Sequence, residues 1–300
     1  MGCMASVAVR TATAQKIWGL PMLMVGVGAG NPGSAARRWQ LDFGVEAMPT
    51  ISAIYRYPVK GLGPDRLESA ELQPGRTIAG DRLYAIENGP SGFDPAQPAY
   101  LPKSRFLMLM RNGRLAALRT AFDQATHTLA ITADGREAAR GDLRTPQGRA
   151  AIEEFFAAFC ADELRGPPKV LHAPGHSFSD VARKVVSIIN LASVASLETV
   201  IGAPVHPLRF RANLYVQGWP AWAELDLVGR EIAVGTGARL KVVKRIVRCA
   251  ATNVDPDTGV RDLAIPDTLL QNLGHTDCGV YAEVISAGPI RTDDDVRTEN

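Results

Sequence analysis

From residue 48 onward apolar residues recur mostly at every second position, in short runs broken by Gly, Pro and Asp-Gly turns. ISAIYRY (51–57) puts Ile51, Ala53, Tyr55 and Tyr57 on one face, as in a half-buried strand, and stops at Pro58. RLESAELQ (66–73), RLYAIEN (82–88), RFLMLM (105–110), RLAALRT (114–120) and TLAIT (128–132) read as further strands. Short strands at this spacing predict a barrel or sandwich rather than alternating βα units. Residues 150–164 break the pattern. Ile152, Phe155, Phe156, Phe159 and Cys160 recur at helical spacing and predict an amphipathic helix with Cys160 in the core.

GPPKVLHAPGHSFSD (166–180) is rich in Pro and Gly and reads as a domain boundary, giving parts 48–165 and 166–300. His172 and His176 are four apart, but Pro174 and Gly175 between them prevent a helical pair, so both read as surface loop residues. KVVSIIN predicts a strand, followed by a helix with Asn190 as N-cap and Gly202 at its end. RFRANLYVQ, REIAVGTGARLKVVKRIVRC and VYAEVIS return to strands. The expected class is mainly β with a few helices, in two parts.

Residues 1–47 hold no convincing element and read as an extension, with Met48 as the natural start. MGCMAS fits an N-acylation pattern, and WGLPMLMVGVGAG behind Arg10 and Lys16 could be a signal or anchor segment. GAGNPG (28–33) satisfies G-x-G-x-x-G, but Pro32 and the lack of a following βαβ pattern argue against a dinucleotide site.

Composition narrows the classes of function. Lys and Arg total 33 against 31 Asp and Glu, a net charge of +2, which argues against a nucleic-acid or anionic-membrane coat, so any basic patch is local. Hydrophobic residues make up 46% and supply a real core. The four cysteines, at 3, 160, 249 and 278, form no CxxC pair and no disulfide framework, favouring a reducing, cytoplasmic setting. Beyond the N-terminal segment, no apolar run is long enough to span a membrane.

Candidate chemistry gathers in a few places. Cys249 ends the basic run RIVRC, where Lys241, Lys244, Arg245 and Arg248 favour a thiolate, the form that nucleophiles and soft metal ligands need. The turn after it offers Thr252, Asn253 and backbone N–H groups to an anion. A structural thiol is the alternative. RFRANLY sets Arg209, Arg211 and Asn213 at alternate positions, so on a strand they would point the same way, and two guanidiniums on one face suit a phosphate unless Asp or Glu partners them. Lys60 follows Pro58 in a turn, and Arg82 resumes a strand after Gly80-Asp81. Either could be an ordinary surface charge. His275 and Cys278 form H-x-x-C, but no fourth ligand completes a zinc set with Cys249.

Taken together, ISAIYRYPVKG, GDRLYAIEN, SIINLASVASLE, FRANLYV and RCAATNVDPDTG resemble the MOSC family, the molybdenum cofactor sulfurase C-terminal domain, with its N-terminal MOSC β-barrel partner in front. The resemblance runs from about residue 51 to 296. It implies two mainly β-barrel domains packed together and a pterin-based molybdenum cofactor whose metal is bound by Cys249. For members similar to amidoxime-reducing proteins, it implies two-electron reduction of N-hydroxylated small molecules. Lys60, Arg82 and Arg211 match the family's cofactor contacts, with Asn213 and Thr252 as weaker matches; Arg209 and Arg248 join them as neighbouring basic residues.

Departures from the family pattern limit the transfer. Ala212 stands where proline is usual, Gly61 where serine is common, and PKSRFL (102–107) lacks a Thr–Arg pattern. No four-cysteine iron–sulfur module follows the last strand, so electrons are expected from a separate donor protein. Asp255 and Asp257 read first as turn formers. Two other functions remain open: sulfur transfer through a Cys249 persulfide, and cofactor carriage without catalysis.

Overall fold

The computed structural model describes residues 48–299, so the acylation, signal and dinucleotide readings of residues 1–47 lie outside the described residues. The first part contributes β1 (Thr50–Arg56), β2 (Asp65–Leu67), β3 (Ser69–Leu72), β4 (Ala85–Ile86), β5 (Arg119–Asp123), β6 (Thr128–Ala133), β7 (Arg136–Asp142) and α1 (Pro146–Phe159). The second part contributes β8 (Val170–Leu171), β9 (Val186–Asn190), α2 (Leu191–Ile201), β10 (Leu214–Gln217), β11 (Glu231–Val234), β12 (Ala238–Val247), α3 (Ile265–Leu273), β13 (Asp277–Ser286), β14 (Gly288–Arg291) and β15 (Val296–Thr298). The protein is mainly β, with a curled half-barrel sheet.

That sheet has eight strands in the order β15-β11-β12-β13-β9-β10-β1-β2. β9 and β10 run parallel and the other neighbours antiparallel. β12 explains its own placement: Ala238, Leu240 and Val242 are buried while Arg239 and Lys241 face out, the period-two pattern of a strand with one wet face. β9 is buried at all five positions because both of its faces are covered. On one face Val186 and Ile188 join Ile51, Leu214 and Leu240; on the other Ile189 meets Val194, Leu197 and Leu269 from α2 and α3. A second core lies under the meander β5-β6-β7, where Leu129 and Ile131 pack on Ile152 and Phe156 from α1 and on Cys160, which caps its C-terminal end.

The sheets do not respect the change of composition near residue 166. β1 and β2 belong to the large sheet of the second part, with Ile54 opposite Leu214; β3 pairs with β14, and β4 with β8.

Several sequence expectations need correction. RFLMLM forms no strand: residues 103–105 make a 3₁₀ turn, and Phe106 to Leu109 are all buried in the loop that follows. A continuous apolar run fits a doubly covered loop as well as a strand, and here Asn112 Oδ1 takes the Met108 N–H that a neighbouring strand would have taken. In RLAALRT, residues 113–117 are 3₁₀ and β5 begins only at Arg119. RLYAIEN yields the two-residue β4, because Arg82 has a left-handed backbone (φ 51°). α1 starts earlier than its apolar stripe, at Pro146, capped by Thr145 Oγ1, which accepts the Gly148 N–H at 3.0 Å. α2 has the expected Asn190 cap, and Gly202 closes it at φ 73°. His172 and His176 are half-buried rather than loose: the first lies 4.9 Å from the Tyr84 ring and the second 4.7 Å from Phe178.

Candidate functional site

One cleft of about 260 Å³ receives most of the residues singled out in the sequence, among them Lys60, Arg82, Arg211, Arg248, Cys249 and Thr252. It is built where loops of the first part meet the ends of β12 and β13 and the turn before β10.

At one end three cations gather, two of them over Tyr57, the residue that ends the first apolar run. The Arg211 and Arg82 guanidiniums lie 4.3 and 4.9 Å from its ring centre. Both arginines have left-handed backbones, at φ 52° and 51°, a conformation that costs on the order of 1 kcal/mol at a non-glycine residue. Neighbours enforce it: Arg82 N–H donates to Tyr57 O (2.7 Å), Arg82 Nη2 donates to Arg211 O (3.2 Å), and Arg211 N–H donates to Leu208 O (3.1 Å). Asp81 pairs with the Arg82 guanidinium and also accepts the Tyr57 N–H at 2.8 Å.

Lys60 is the third cation and is 5% exposed. Its Nζ donates to Phe178 O (2.9 Å) and pairs with Asp180. Burial pushes the Lys60 ammonium below its ordinary pKa, and Asp180 only partly offsets this. Burial also opposes ionisation of Asp180, but Lys60, with Arg82 and Lys103 behind it, outweighs that and holds the carboxyl well below the usual carboxylate range. Arg211 makes no ion pair among the described residues; burial, and then the charge of Arg82, lowers its pKa. Such a cluster of cations has the chemistry to hold an anion.

Cys249 marks the other end. Its thiol is half-buried, and Lys103 Nζ lies 3.2 Å from Sγ. Burial works against the Lys103 ammonium, but the sulfur outweighs it and raises the lysine's pKa. Lys103 was missed in the sequence. It stands 146 residues before Cys249, in a segment with no motif, and only the tertiary fold brings the two together. Of the sequence neighbours named for this role, Arg245 and Arg248 are held by other groups. Arg245 bonds Leu225 O and Asp226, while Arg248 donates to Cys278 O (2.7 Å) and Phe210 O (2.9 Å). Arg248 Nη2 is buried with no hydrogen-bond partner in the protein.

Arg209, Arg211 and Asn213 do not share a direction, because residues 207–210 form a 3₁₀ turn and β10 starts only at Leu214. Pro207 at the first turn position favours this over a strand. Arg209, 4% exposed, pairs with both oxygens of Asp262 (2.8 and 2.7 Å) and with Asp255 (3.1 Å), pinning the loop after Cys249. Asn213 is a clamp between strands: its Oδ1 accepts from Ser187 N–H (3.1 Å) and Ser187 Oγ (2.8 Å), and its Nδ2 donates to Tyr55 O (3.1 Å). Thr252 donates both its N–H and its hydroxyl to Cys249 O, each at 3.0 Å, which sets the bend of the backbone at the thiol.

Asp255 does form the turn, accepting from Asp257 N–H, Thr258 N–H and Thr258 Oγ1. Cys278 is fully buried and its thiol is pushed up to about 12 by that burial; Cys160 is likewise pushed up to about 11. His275 Nδ1 accepts the Asp277 N–H, and no metal-binding group of three His, Cys, Asp or Glu occurs among the described residues.

Two departures from the family pattern have structural reasons. Gly61 has φ +87°, and a Cβ there would lie 2.7 Å from Leu107 O, so the backbone leaves no room for serine. Ala212 N–H donates to Tyr215 Oη at 3.2 Å, a bond that proline could not make.

Residues 173–297 match the model of the MOSC domain, and residues 48–163 that of the MOSC N-terminal beta barrel domain. No curated protein matches the chain significantly. Among solved structures, it is similar to YuaD from Bacillus subtilis at 13% identity, covering 83% of this chain and 94% of that one with a TM-score of 0.39. It is also similar to YiiM from Geobacillus stearothermophilus and from Escherichia coli, each at 19% identity over 38% of this chain and 54% of theirs, with TM-scores of 0.31 and 0.30. With one domain model matching the strands before α1 and the other the strands and helices that carry Cys249, the chain belongs to the MOSC-domain family.

Proposed function

We propose that this protein binds a pterin-type molybdenum cofactor between its first part (48–165) and its MOSC part (166–300), and uses it to reduce N-hydroxylated small molecules. The observation that carries this reading is a single cleft joining a thiol to a cluster of cations. Such a cofactor has a phosphate at one end and a soft metal held by sulfur at the other. The residues fit it: Arg211 makes no ion pair and Arg248 Nη2 has no partner, so the cleft carries donors that an anion would satisfy.

In this reading Cys249 is the protein ligand to the metal. Lys60, Arg82 and Arg211 hold the phosphate, and Arg248 supplies a further donor. Thr252 holds the Cys249 backbone so that the sulfur faces the cleft. Asn213 and Arg209 act at one remove, fixing the strands and the loop that carry these groups. Lys103 stands beside the sulfur, where a cation balances the charge of a thiolate. When bound, the cofactor supplies two-electron redox chemistry. The net change is R–N–OH + 2 e⁻ + 2 H⁺ → R–N–H + H₂O, with the electrons coming from a separate donor protein.

The test is the molybdenum content of the full chain, purified without oxygen from a host that makes the cofactor, beside Cys249→Ser. Near one molybdenum per chain in the parent and almost none in the variant supports the reading, and an artificial reductant with an amidoxime then tests turnover. Absence of molybdenum from both, with labile sulfur on Cys249, favours sulfur transfer instead.

A further inference from the structure

The charge of the cleft is far from that of the whole chain. Eight basic side chains and one carboxylate, Asp180, line it, although the chain as a whole is nearly balanced at +2. Four of the eight are paired: Lys60 with Asp180, Arg82 with Asp81, Arg209 with Asp255 and Asp262, and Arg245 with Asp226. The other four, Lys103, Arg211, Lys244 and Arg248, make no ion pair among the described residues.

These four are not grouped at one end. Arg211 lies over Tyr57 with Arg82, at the anion end. Lys103 touches the Cys249 sulfur, and Lys244, exposed, belongs to the same strand run that ends in Cys249. One phosphate at the Tyr57 end brings at most two negative charges, and it meets Lys60, Arg82 and Arg211 there. Lys103 is then left beside the thiol and Lys244 on the wall of the cleft, and the one carboxylate among the described lining residues is already paired with Lys60. A small molecule approaching Cys249 therefore enters a positive field with apolar walls, which strengthens charge selection.

We infer that the cleft selects anionic small molecules on their way to Cys249, in particular N-hydroxylated compounds that also carry a carboxylate, with Lys103 beside the thiol and Lys244 on the cleft wall as the residues that read the charge. The inference rests on the proposed reductase activity for its substrate class. Its charge preference rests on the cleft alone.

The experiment uses three benzamidoximes differing only in the para group: carboxylate, carboxamide and trimethylammonium. Calorimetry measures their equilibrium binding to the full chain, and molybdenum-loaded protein with an artificial reductant measures kcat/KM. The carboxylate is expected to bind about fivefold or more tightly than the carboxamide, and the trimethylammonium compound most weakly. Raising the salt to about 0.5 M should compress these differences. Lys103→Met and Lys244→Met should each lower the carboxylate-to-carboxamide ratio, and Lys103→Arg should preserve most of it, which separates charge reading from a loss of fold. Equal binding of all three compounds, or a ratio that neither lysine variant changes, overturns the inference even if all three are reduced. A carboxylate preference in binding with no turnover of any compound upholds the charge selection and overturns the reductase reading.

Discussion

Asn213 and Lys103 show how little sequence proximity says about what a polar side chain does. Asn213 lies two residues from Arg211, yet its amide is bound to Ser187 in β9 and to Tyr55 O in β1, and the residue is 2% exposed. Asn213→Ala leaves a buried Ser187 N–H and hydroxyl without their shared acceptor. The expected loss of stability is about 2–4 kcal/mol, read from urea unfolding at pH 7. A loss below about 0.5 kcal/mol would mean that solvent reaches this junction and that Asn213 is not the clamp described. Cys249 stood out in the sequence by its basic neighbours and the turn after it, whereas Lys60, Arg82 and Arg211 were singled out as cofactor contacts by the family resemblance, since by residue type the first two read equally well as surface charges. Lys103 did not stand out, since nothing local marks a contact across 146 residues. Arg209 was read in the wrong direction because the alternation rule holds only on a strand, and Pro207 makes that stretch a 3₁₀ turn.

Among the elements, those with sustained periodicity were legible: β6, β12 and β13 follow the two-residue repeat, and α2 carries both of its end signals. In β1 the expected single face is split, because a bulge between Ile51 and Ala53 sends Ile51 and Ile54 into one core and Ala53 and Tyr55 against the other. Elements that depend on partners were not. α3 has only nine residues and no side-chain cap, and RFLMLM is apolar because the loop is covered on both sides. The start of α2 also holds a buried acid. Glu224, in the 3₁₀ turn 223–227, is fully buried; its Oε2 accepts from Asn190 Nδ2 (3.1 Å) and Ser193 Oγ (2.8 Å), and its Oε1 has no partner. Burial raises its pKa above the ordinary 4.5, and the bonds from Ser193 and Asn190 only partly offset this. Below the unfolded value both states are protonated and this contribution to stability is fully present. As pH rises past it, the unfolded chain ionises first, and the contribution falls until the folded pKa is passed. Glu224→Gln keeps an acceptor for Asn190 and Ser193 but cannot ionise. Its stability relative to the parent should therefore rise as the pH climbs above about 4.5. Thermal melts at several pH values check this, and a constant difference would show that Glu224 stays ionised in the fold.

At the scale of the molecule, the break in composition near residue 166 is not a break in structure. β1 completes the large sheet by pairing with β10 and carries β2 on its outer edge, β3 closes on β14, and β4 on β8, so each part supplies strands to sheets shared with the other. The cleft is divided in the same way, with Lys60, Arg82 and Lys103 before the break and Arg211 and Cys249 after it. A fragment of residues 166–300 would expose the edge of β10, where Leu214, Tyr215 and Val216 are buried, and an uncovered apolar edge strand pairs with other chains. That fragment is expected to be insoluble or aggregated when made alone, and to become soluble when residues 48–165 are co-expressed. The full chain should unfold as one cooperative unit, with a single calorimetric transition whose van't Hoff and calorimetric enthalpies agree. Two separate transitions, or a folded and monomeric 166–300 fragment, would show that the shared strands add little and that the cleft joins two bodies able to stand apart.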